Sequence, residues 1–217
     1  MRDRIERGCA EMGIGLPPGA SDRLARYLEL LTERNRTTNL AGDLGDPDEA
    51  VDRHILDSLS PIPSILPLNA ATLADIGSGG GLPGIPLAIA LPGLRVSLIE
   101  SRRKKAEFLA EASGSLAPNA DAVHMRAEDA AREPIHRGRY DVAVARAVAD
   151  LFALVTYAFP LLRPGGTLIA YKGPAVRGEL PEAEAKIAAF GGAITAAEPI
   201  RIPNREWDHL LVSIRKR

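Results

Sequence analysis

The stretch with the most chemical potential is Asp75-Ile76-Gly77-Ser78-Gly79-Gly80-Gly81-Leu82-Pro83-Gly84, which follows directly on an apolar strand-like run, Thr72–Ile76. Glycines here let the chain turn sharply and let a ligand approach the backbone closely, with N–H groups exposed to it. Five glycines in eight residues carry a backbone-entropy cost that a turn alone would not require. A second strand-like run ends at Glu100, 23 positions after Gly77. In a doubly wound sheet the end of that strand lies beside a ligand's ribose, where a carboxylate accepts both hydroxyls. Read from Gly79, the string Gly79-Gly80-Gly81-Leu82-Pro83-Gly84 also satisfies the dinucleotide pattern G-x-G-x-x-G. Against a dinucleotide, Pro83, Gly84 and Pro86 crowd the first turn of the following helix and weaken the N-terminus that would hold a pyrophosphate. A ligand with an amino acid and no phosphate suits the loop better, with Asp75 placed near its ammonium group.

Three further groups could do chemistry. His54 and Asp57 stand at i and i+3 and share a helix face, which suits either packing against a sheet or direct substrate contact. Arg146 follows the strand-like Val142-Ala143-Val144, at the mouth of the sheet. The run Arg102-Arg103-Lys104-Lys105 opens a helix, where bases oppose the dipole, so it reads either as a phosphate contact or as a solvated face. Arg34, Arg36, Arg201, Arg205 and the tail Arg215-Lys216-Arg217 could extend that patch, and Trp207 could stack a base or fill core. The four histidines have no metal-ligand spacing, so no metal is expected, and Cys9 lies far from the motifs.

These residues need elements to hold them. Residues 1–68 read as a helical segment. Ser21 can cap a helix with Leu24, Tyr27, Leu28 and Leu31 on one stripe. Asp46-Pro47-Asp48-Glu49 signals a second helix start, and its helix carries Val51, Ile55 and Leu59 on one side. Pro61, Pro63 and Pro67 end it as a short linker. From there, strands and helices alternate over 69–217. Strands are expected at Thr72–Ile76, Arg95–Glu100, Ala122–Arg126, Asp141–Ala145 and Thr167–Tyr171, and helices at Arg102–Ser115, Asp150–Leu162 and Glu179–Phe190. This order predicts a mostly parallel sheet covered on both faces. Two closing strands, Ala193–Ile202 and His209–Arg215, are too close in sequence for a crossover helix and should pair antiparallel.

Length and composition set the outer bounds. The 217 residues, 46% hydrophobic, suffice for one core and not for two independent ones. With 27 basic and 28 acidic residues, a uniformly basic nucleic-acid coat is excluded, and any such contact must come from a local patch. A single cysteine excludes a disulfide framework. The longest apolar run, Ile85 to Leu91, falls well short of the ~20 residues of a membrane span. The opening MRDRIERG is not a secretory signal, so a cytoplasmic, membrane-free protein is expected.

With these residues in hand, the chain resembles the class I S-adenosylmethionine (SAM) methyltransferases. More narrowly, it is similar to the RsmG (GidB) family, which methylates guanine N7 in bacterial 16S ribosomal RNA. The likeness runs from about Leu30 to the last strand. It is carried by Asn39-Leu40, Arg53-His54-Ile55-Leu56-Asp57-Ser58, Asp75–Pro86, Glu100-Ser101, Lys104-Lys105, Phe108-Leu109, Arg126-Ala127-Glu128, Ala145-Arg146-Ala147 and Lys172-Gly173. The resemblance implies a Rossmann-like α/β fold, a mostly parallel seven-stranded sheet with an antiparallel last strand, and an N-terminal helical cap at 1–68 that contributes to RNA binding. It also implies SAM as cofactor and 16S rRNA as partner, free or within the 30S subunit or an assembly intermediate. No apolar stripe is left without a use inside the fold, so a monomer is expected.

By the same resemblance, Gly77 and Leu82 contact SAM, Gly79 and Gly81 shape the loop, and Glu100 holds the ribose. Ala127 and Glu128 meet the adenine, and Arg146 closes the pocket near the methyl group and substrate. Lys172 is a family position placed near the RNA. From the residues themselves, Arg53, Arg102 and Arg103 are further candidates for RNA contact, and Asp57 and His54 join Arg146 as catalytic candidates. Relatives often carry a Trp in the first long helix and Asn-Leu-Thr after it; here the stretches read Glu33-Arg34-Asn35-Arg36 and Asn39-Leu40-Ala41. Guanine N7 has an in-plane lone pair and no proton, so such a reaction needs alignment rather than a general base, and a nearby carboxylate would stabilise the cation that forms. From the residues alone, three rivals stay open. They are an NAD(P)-dependent dehydrogenase, a SAM-sensing or RNA-binding module, and a methyltransferase acting on another RNA, DNA or a small molecule.

Overall fold

The computed structural model describes residues 1–146, 150–203, 205, 206 and 208–217. The expectations for Ala147 and Trp207 fall outside the described residues. Seven strands form one sheet in the order β3-β2-β1-β4-β5-β7-β6: β1 (Thr72–Ile76), β2 (Arg95–Glu100), β3 (Ala120–His124), β4 (Tyr140–Arg146), β5 (Leu162–Lys172), β6 (Gly192–Pro199) and β7 (Leu210–Lys216). β1 to β5 run parallel, and β7 pairs antiparallel with both β5 and β6. The chain leaves β1 in one direction for β2 and β3, then returns to the other side of β1 with β4. That reversal between β1 and β4 is where an open α/β sheet binds ligands, outside its carboxyl ends.

Strand periodicity divides the interior into two. Leu73, Val96, Leu98, Val142 and Val144 point to one face, while Ala74, Ile76, Ile99, Ala143 and Ala145 point to the other, as alternation of side chains along a pleated strand requires. The first face is covered by α6 (Gly84–Ala90) and α7 (Arg103–Leu116), together with the N-terminal helices α1 (Arg2–Glu11), α2 (Ala20–Asn35), α3 (Pro47–Ala50), α4 (Asp57–Leu59) and α5 (Ile62–Ile65). One continuous apolar cluster runs from Ile5 and Tyr27 to Leu98 and Leu211. The second face carries α8 (Ala127–Ala130), α9 (Leu151–Ala158) and α10 (Val176–Ala189).

Several local expectations are corrected. Ser21 does not cap α2: Gly19, in the left-handed region, precedes the helix, and the Ser21 hydroxyl donates to Glu6 at 2.7 Å. The proline-rich stretch after α4 is not an open linker but a helical turn, α5, followed by a 3-10 turn at Leu66–Leu68. Prolines occupy first-turn positions there, where no N–H is needed. The same reason lets α6 form despite Pro83 and Pro86. β3 begins two residues earlier than expected, and β5 starts at Leu162 because a bulge opposite Tyr140–Val142 absorbs Arg163 to Gly166.

The cap's second helix differs in kind. Asp46 caps α3, accepting from the Glu49 N–H at 2.7 Å. The backbone then widens into a π-helix over Val51–Leu56 before α4 resumes at Asp57. Such π segments are rare and frequently mark functional sites. This one carries Arg53 and His54.

Candidate functional site

The glycine loop is held from three sides. Gly77 and Ser78 donate their N–H groups to the Ile99 carbonyl at the end of β2. Gly77, Gly79 and Gly81 all adopt positive φ, at 69°, 58° and 91°, a region that side chains disfavour. From above, the cap presses on the loop. A Cβ on Gly80 would meet Leu31 Cδ1 at 2.9 Å and the Leu40 carbonyl at 3.0 Å, and the buried Tyr27 hydroxyl donates to the Gly80 carbonyl at 2.6 Å. Asn35 keeps Leu40 in place by accepting from the N–H groups of Leu40 and Ala41.

Beneath the loop, Asp75 is buried. Its Oδ2 accepts from the Gly84 N–H at 3.0 Å, while Oδ1 has no hydrogen-bond partner among the described residues. Burial raises its carboxyl to about 7. Glu100, also buried, accepts from Gly79 N–H at 3.0 Å and Arg102 N–H at 2.8 Å. The loop and the end of β2 are therefore one hydrogen-bonded unit. Beyond them, Ala127 is half-buried and Glu128 exposed at the start of α8. Leu82 packs into the apolar cluster below the loop.

A second locus lies at the carboxyl ends of β4 and β5. A cavity of about 300 Å³ is lined by Arg53, His54, Asp57, Arg146, Tyr171, Gly173 and His209. Arg146 Nη1 donates to Asp57 Oδ2 at 2.7 Å and to the Arg53 carbonyl at 3.3 Å. Two carbonyls of the π-helix accept from side chains, Arg53 from Arg146 and His54 from the Ser58 hydroxyl. The buried Tyr171 hydroxyl donates to the Ser58 carbonyl at 3.0 Å. Burial pushes the Asp57 carboxyl above the ordinary carboxylate range, while the Arg146 guanidinium pulls it back. Burial drives His54 below the ordinary imidazole range; the Asp43 carbonyl works against that shift, and the Arg146 and Arg53 guanidiniums add to it.

The expected residues therefore separate into two neighbouring groups. Asp75, Gly77, Gly79, Gly81, Leu82 and Glu100 build the loop, and His54, Asp57, Arg53 and Arg146 meet at the cavity. His54 and Asp57 serve both readings left open above, since they are buried at the seam between cap and sheet and also line the cavity. Lys172 ends β5, half-buried, its ammonium lowered by burial. Arg102 and Arg103 lie outside the cavity at the start of α7, and Arg103 pairs with Glu107 at 2.8 Å. Arg34, half-exposed, pairs with the Glu111 carboxylate at 2.7 Å. Tyr27, Asn35, Ser58, Tyr171 and His209 were not picked out as site residues. Tyr27 lay in plain view on the apolar stripe of α2, where it read as core. Among the described residues, no cluster of His, Cys, Asp or Glu could hold a metal ion, and no helix is long and apolar enough to cross a membrane.

Comparison with known proteins points one way. The family described as GidB, rRNA small subunit methyltransferase G, matches residues 20–203. Proteins named ribosomal RNA small subunit methyltransferase G are 43% identical in Stenotrophomonas maltophilia, over 97% of this chain and 92% of that one. In Pelotomaculum thermopropionicum the identity is 39%, over 100% and 90%. Among solved structures, an O-methyltransferase from Bacillus cereus in complex with SAH superimposes with a TM-score of 0.59 at 21% identity, covering 88% of this chain and 91% of that one. The O-methyltransferase TomG from Streptomyces achromogenes, in complex with SAM, also gives 0.59, at 20% identity over 90% of each chain. These two show the fold.

Proposed function

The chain belongs to the small-subunit rRNA methyltransferase G family, and on that premise we propose that it transfers a methyl group from SAM to N7 of a guanine in bacterial 16S rRNA. The observation that carries the reading is the placement of the cavity. It opens at the carboxyl ends of β4 and β5, next to the reversal in strand order, with the glycine loop on the adjoining strand. Nothing supports the dehydrogenase reading beside a methyltransferase family match.

The residues present fit SAM. Asp75 Oδ1 is a buried acceptor without a partner among the described residues, suited to an ammonium group. The loop at Gly77, Gly79 and Gly81 offers backbone at close approach, Glu100 would hold ribose hydroxyls, and Ala127 and Glu128 would border the adenine. When bound, SAM supplies a methyl group activated by its sulfonium.

Because N7 brings a lone pair and no proton, the cavity needs no general base. Its side chains have to align the nucleophile with the methyl carbon at about 3–3.5 Å. Arg146, fixed between Asp57 and the Arg53 carbonyl, closes the space between the two loci. Asp57 places a carboxylate beside the purine as it becomes cationic. Arg53, Lys172, Arg102 and Arg103 would meet RNA phosphates, and residues 1–68 act as the cap over the 69–217 core. The protein works in the cytoplasm as a monomer, without a metal.

The test is transfer of radiolabelled methyl from SAM to undermodified rRNA, offered free, as 30S particles and as assembly intermediates, followed by nucleoside analysis. N7-methylguanosine at one site is expected, and the preferred form identifies what the cap recognises. Label in another nucleoside, or none with SAM bound, would overturn the reading.

A further inference from the structure

His54 is 6% exposed and lines the cavity. Its Nε2 lies 2.9 Å from the Asp43 carbonyl oxygen. A carbonyl only accepts, so Nε2 carries the proton. The depressed basicity of the ring keeps it neutral, which leaves Nδ1 as a bare acceptor. That atom is buried and has no hydrogen-bond partner among the described residues. The charged groups acting on the ring are the guanidiniums of Arg146 and Arg53 and the Asp43 carboxylate, and Asp57 and His209 line the same cavity. Both guanidiniums are engaged elsewhere, Arg53 with Glu49 and Arg146 with Asp57. Asp57 Oδ2 accepts from Arg146 at 2.7 Å. A buried acceptor left unmade is costly, and none of the described residues supplies a donor for it.

We propose that His54 Nδ1 accepts an N–H from the Watson–Crick edge of the target guanine, making His54 a specificity-determining residue. The inference rests on the N7 reading above. A base methylated at N7 keeps its five-membered ring toward the methyl donor, so its opposite edge, with N1–H and the exocyclic amino group, is free to be read. Adenine presents no N1–H and has an acceptor there instead. Enzymes acting on a base unstack it into a fitted pocket and read that edge, and a space of about 300 Å³ is at the small end of ligand sites. Asp43 fixes the tautomer through the Nε2 proton and so sets the polarity of the reader.

Two substitutions separate the two ring nitrogens. Asn at position 54 keeps an acceptor near Nδ1 and loses the tie to Asp43; Gln keeps a donor near Nε2 and loses the acceptor. Wild type, His54→Asn and His54→Gln are assayed for kcat/KM on rRNA carrying guanosine, inosine (no exocyclic amino group) or 2-aminopurine (no N1–H) at the target. Wild type is expected to lose about tenfold to a hundredfold on one of the two analogues, the size of an unmade buried hydrogen bond. His54→Asn retains most of that discrimination and His54→Gln loses it, with SAM affinity unchanged in both. Equal analogue penalties in all three proteins, or discrimination surviving in His54→Gln and lost in His54→Asn, would overturn the proposal and leave the histidine a structural tie for Asp43. If wild type makes no N7-methylguanosine on the guanosine RNA, the functional reading itself fails. If it does so and shows no analogue penalty, only the inference about His54 fails.

Discussion

Substituting Tyr27→Phe removes one hydroxyl and no packing volume, so its effect isolates the bond between cap and glycine loop. Tyr27 is fully buried and its hydroxyl donates to the Gly80 carbonyl at 2.6 Å. Phenylalanine leaves that carbonyl buried without its donor, at a cost of about 1–3 kcal/mol. For a chain of this length each kcal/mol lowers Tm by about 2–4 °C, so a fall of about 2–12 °C is expected by calorimetry. Function should change as well. Gly80 sits between Gly79 and Gly81, whose positive-φ conformations shape the loop proposed to hold SAM, so on that proposal a loosened Gly80 should weaken SAM binding by titration calorimetry. Turnover at saturating SAM holds, since the cavity residues are untouched. An unchanged Tm would refute the energetic argument. A lowered Tm with unchanged SAM affinity would refute the claim that the cap tensions the loop.

Other consequences follow from the same structure. Arg146→Ala strands the Asp57 carboxylate, whose side chain is 6% exposed, and should destabilise by about 3–5 kcal/mol; denaturant unfolding should show much of this recovered in Arg146→Gln with Asp57→Asn. Asp75 titrates near 7 when folded against 3.8 as its ordinary value, so its contribution is fully present below about pH 4 and is lost as pH rises to about 7. Asp75→Asn should match wild type in stability at pH 4 and exceed it by about 4 kcal/mol at pH 8, while binding SAM less well there; a difference constant with pH would contradict this. Gly84→Ala should destabilise by about 1–3 kcal/mol despite alanine's higher helix propensity, because its Cβ would meet Leu98 at 2.4 Å and Asp75 Oδ2 at 2.6 Å; an unfolding curve at or above wild type would count against it. If Arg102 and Lys104 bind phosphates, replacing either should reduce the salt dependence of RNA binding by about one counterion, leaving SAM affinity alone.

What could be read from residues alone followed local chemistry. β1 and β2 match their expected bounds because apolar, branched residues alternate there between sharp boundaries, the glycine loop after one and Glu100 closing the other. β3 is alanine-rich and weakly patterned, so its start slips by two residues. The glycine loop and Glu100 were legible as parts, but their direct hydrogen bond was not, since it depends on how two strand ends sit side by side. The π-helix was hidden for the same reason. Val51–Leu56 carries an ordinary helical pattern, and nothing local announces that its carbonyls will accept from Ser58 and from Arg146 on a strand 93 residues past Arg53. Tyr27 was read correctly as buried, yet nothing in the stripe announces which carbonyl its hydroxyl meets.

The central claim, that this cavity aligns guanine N7 with the methyl donor, is tested most directly by removing the nucleophile. Small-subunit rRNA transcribed with 7-deazaguanosine in place of guanosine keeps the Watson–Crick edge and the phosphates but has carbon where N7 was. Such RNA should bind with the affinity of ordinary rRNA and accept no methyl group. Methyl transfer to it at the ordinary rate would show that another atom is the acceptor and would contradict the account.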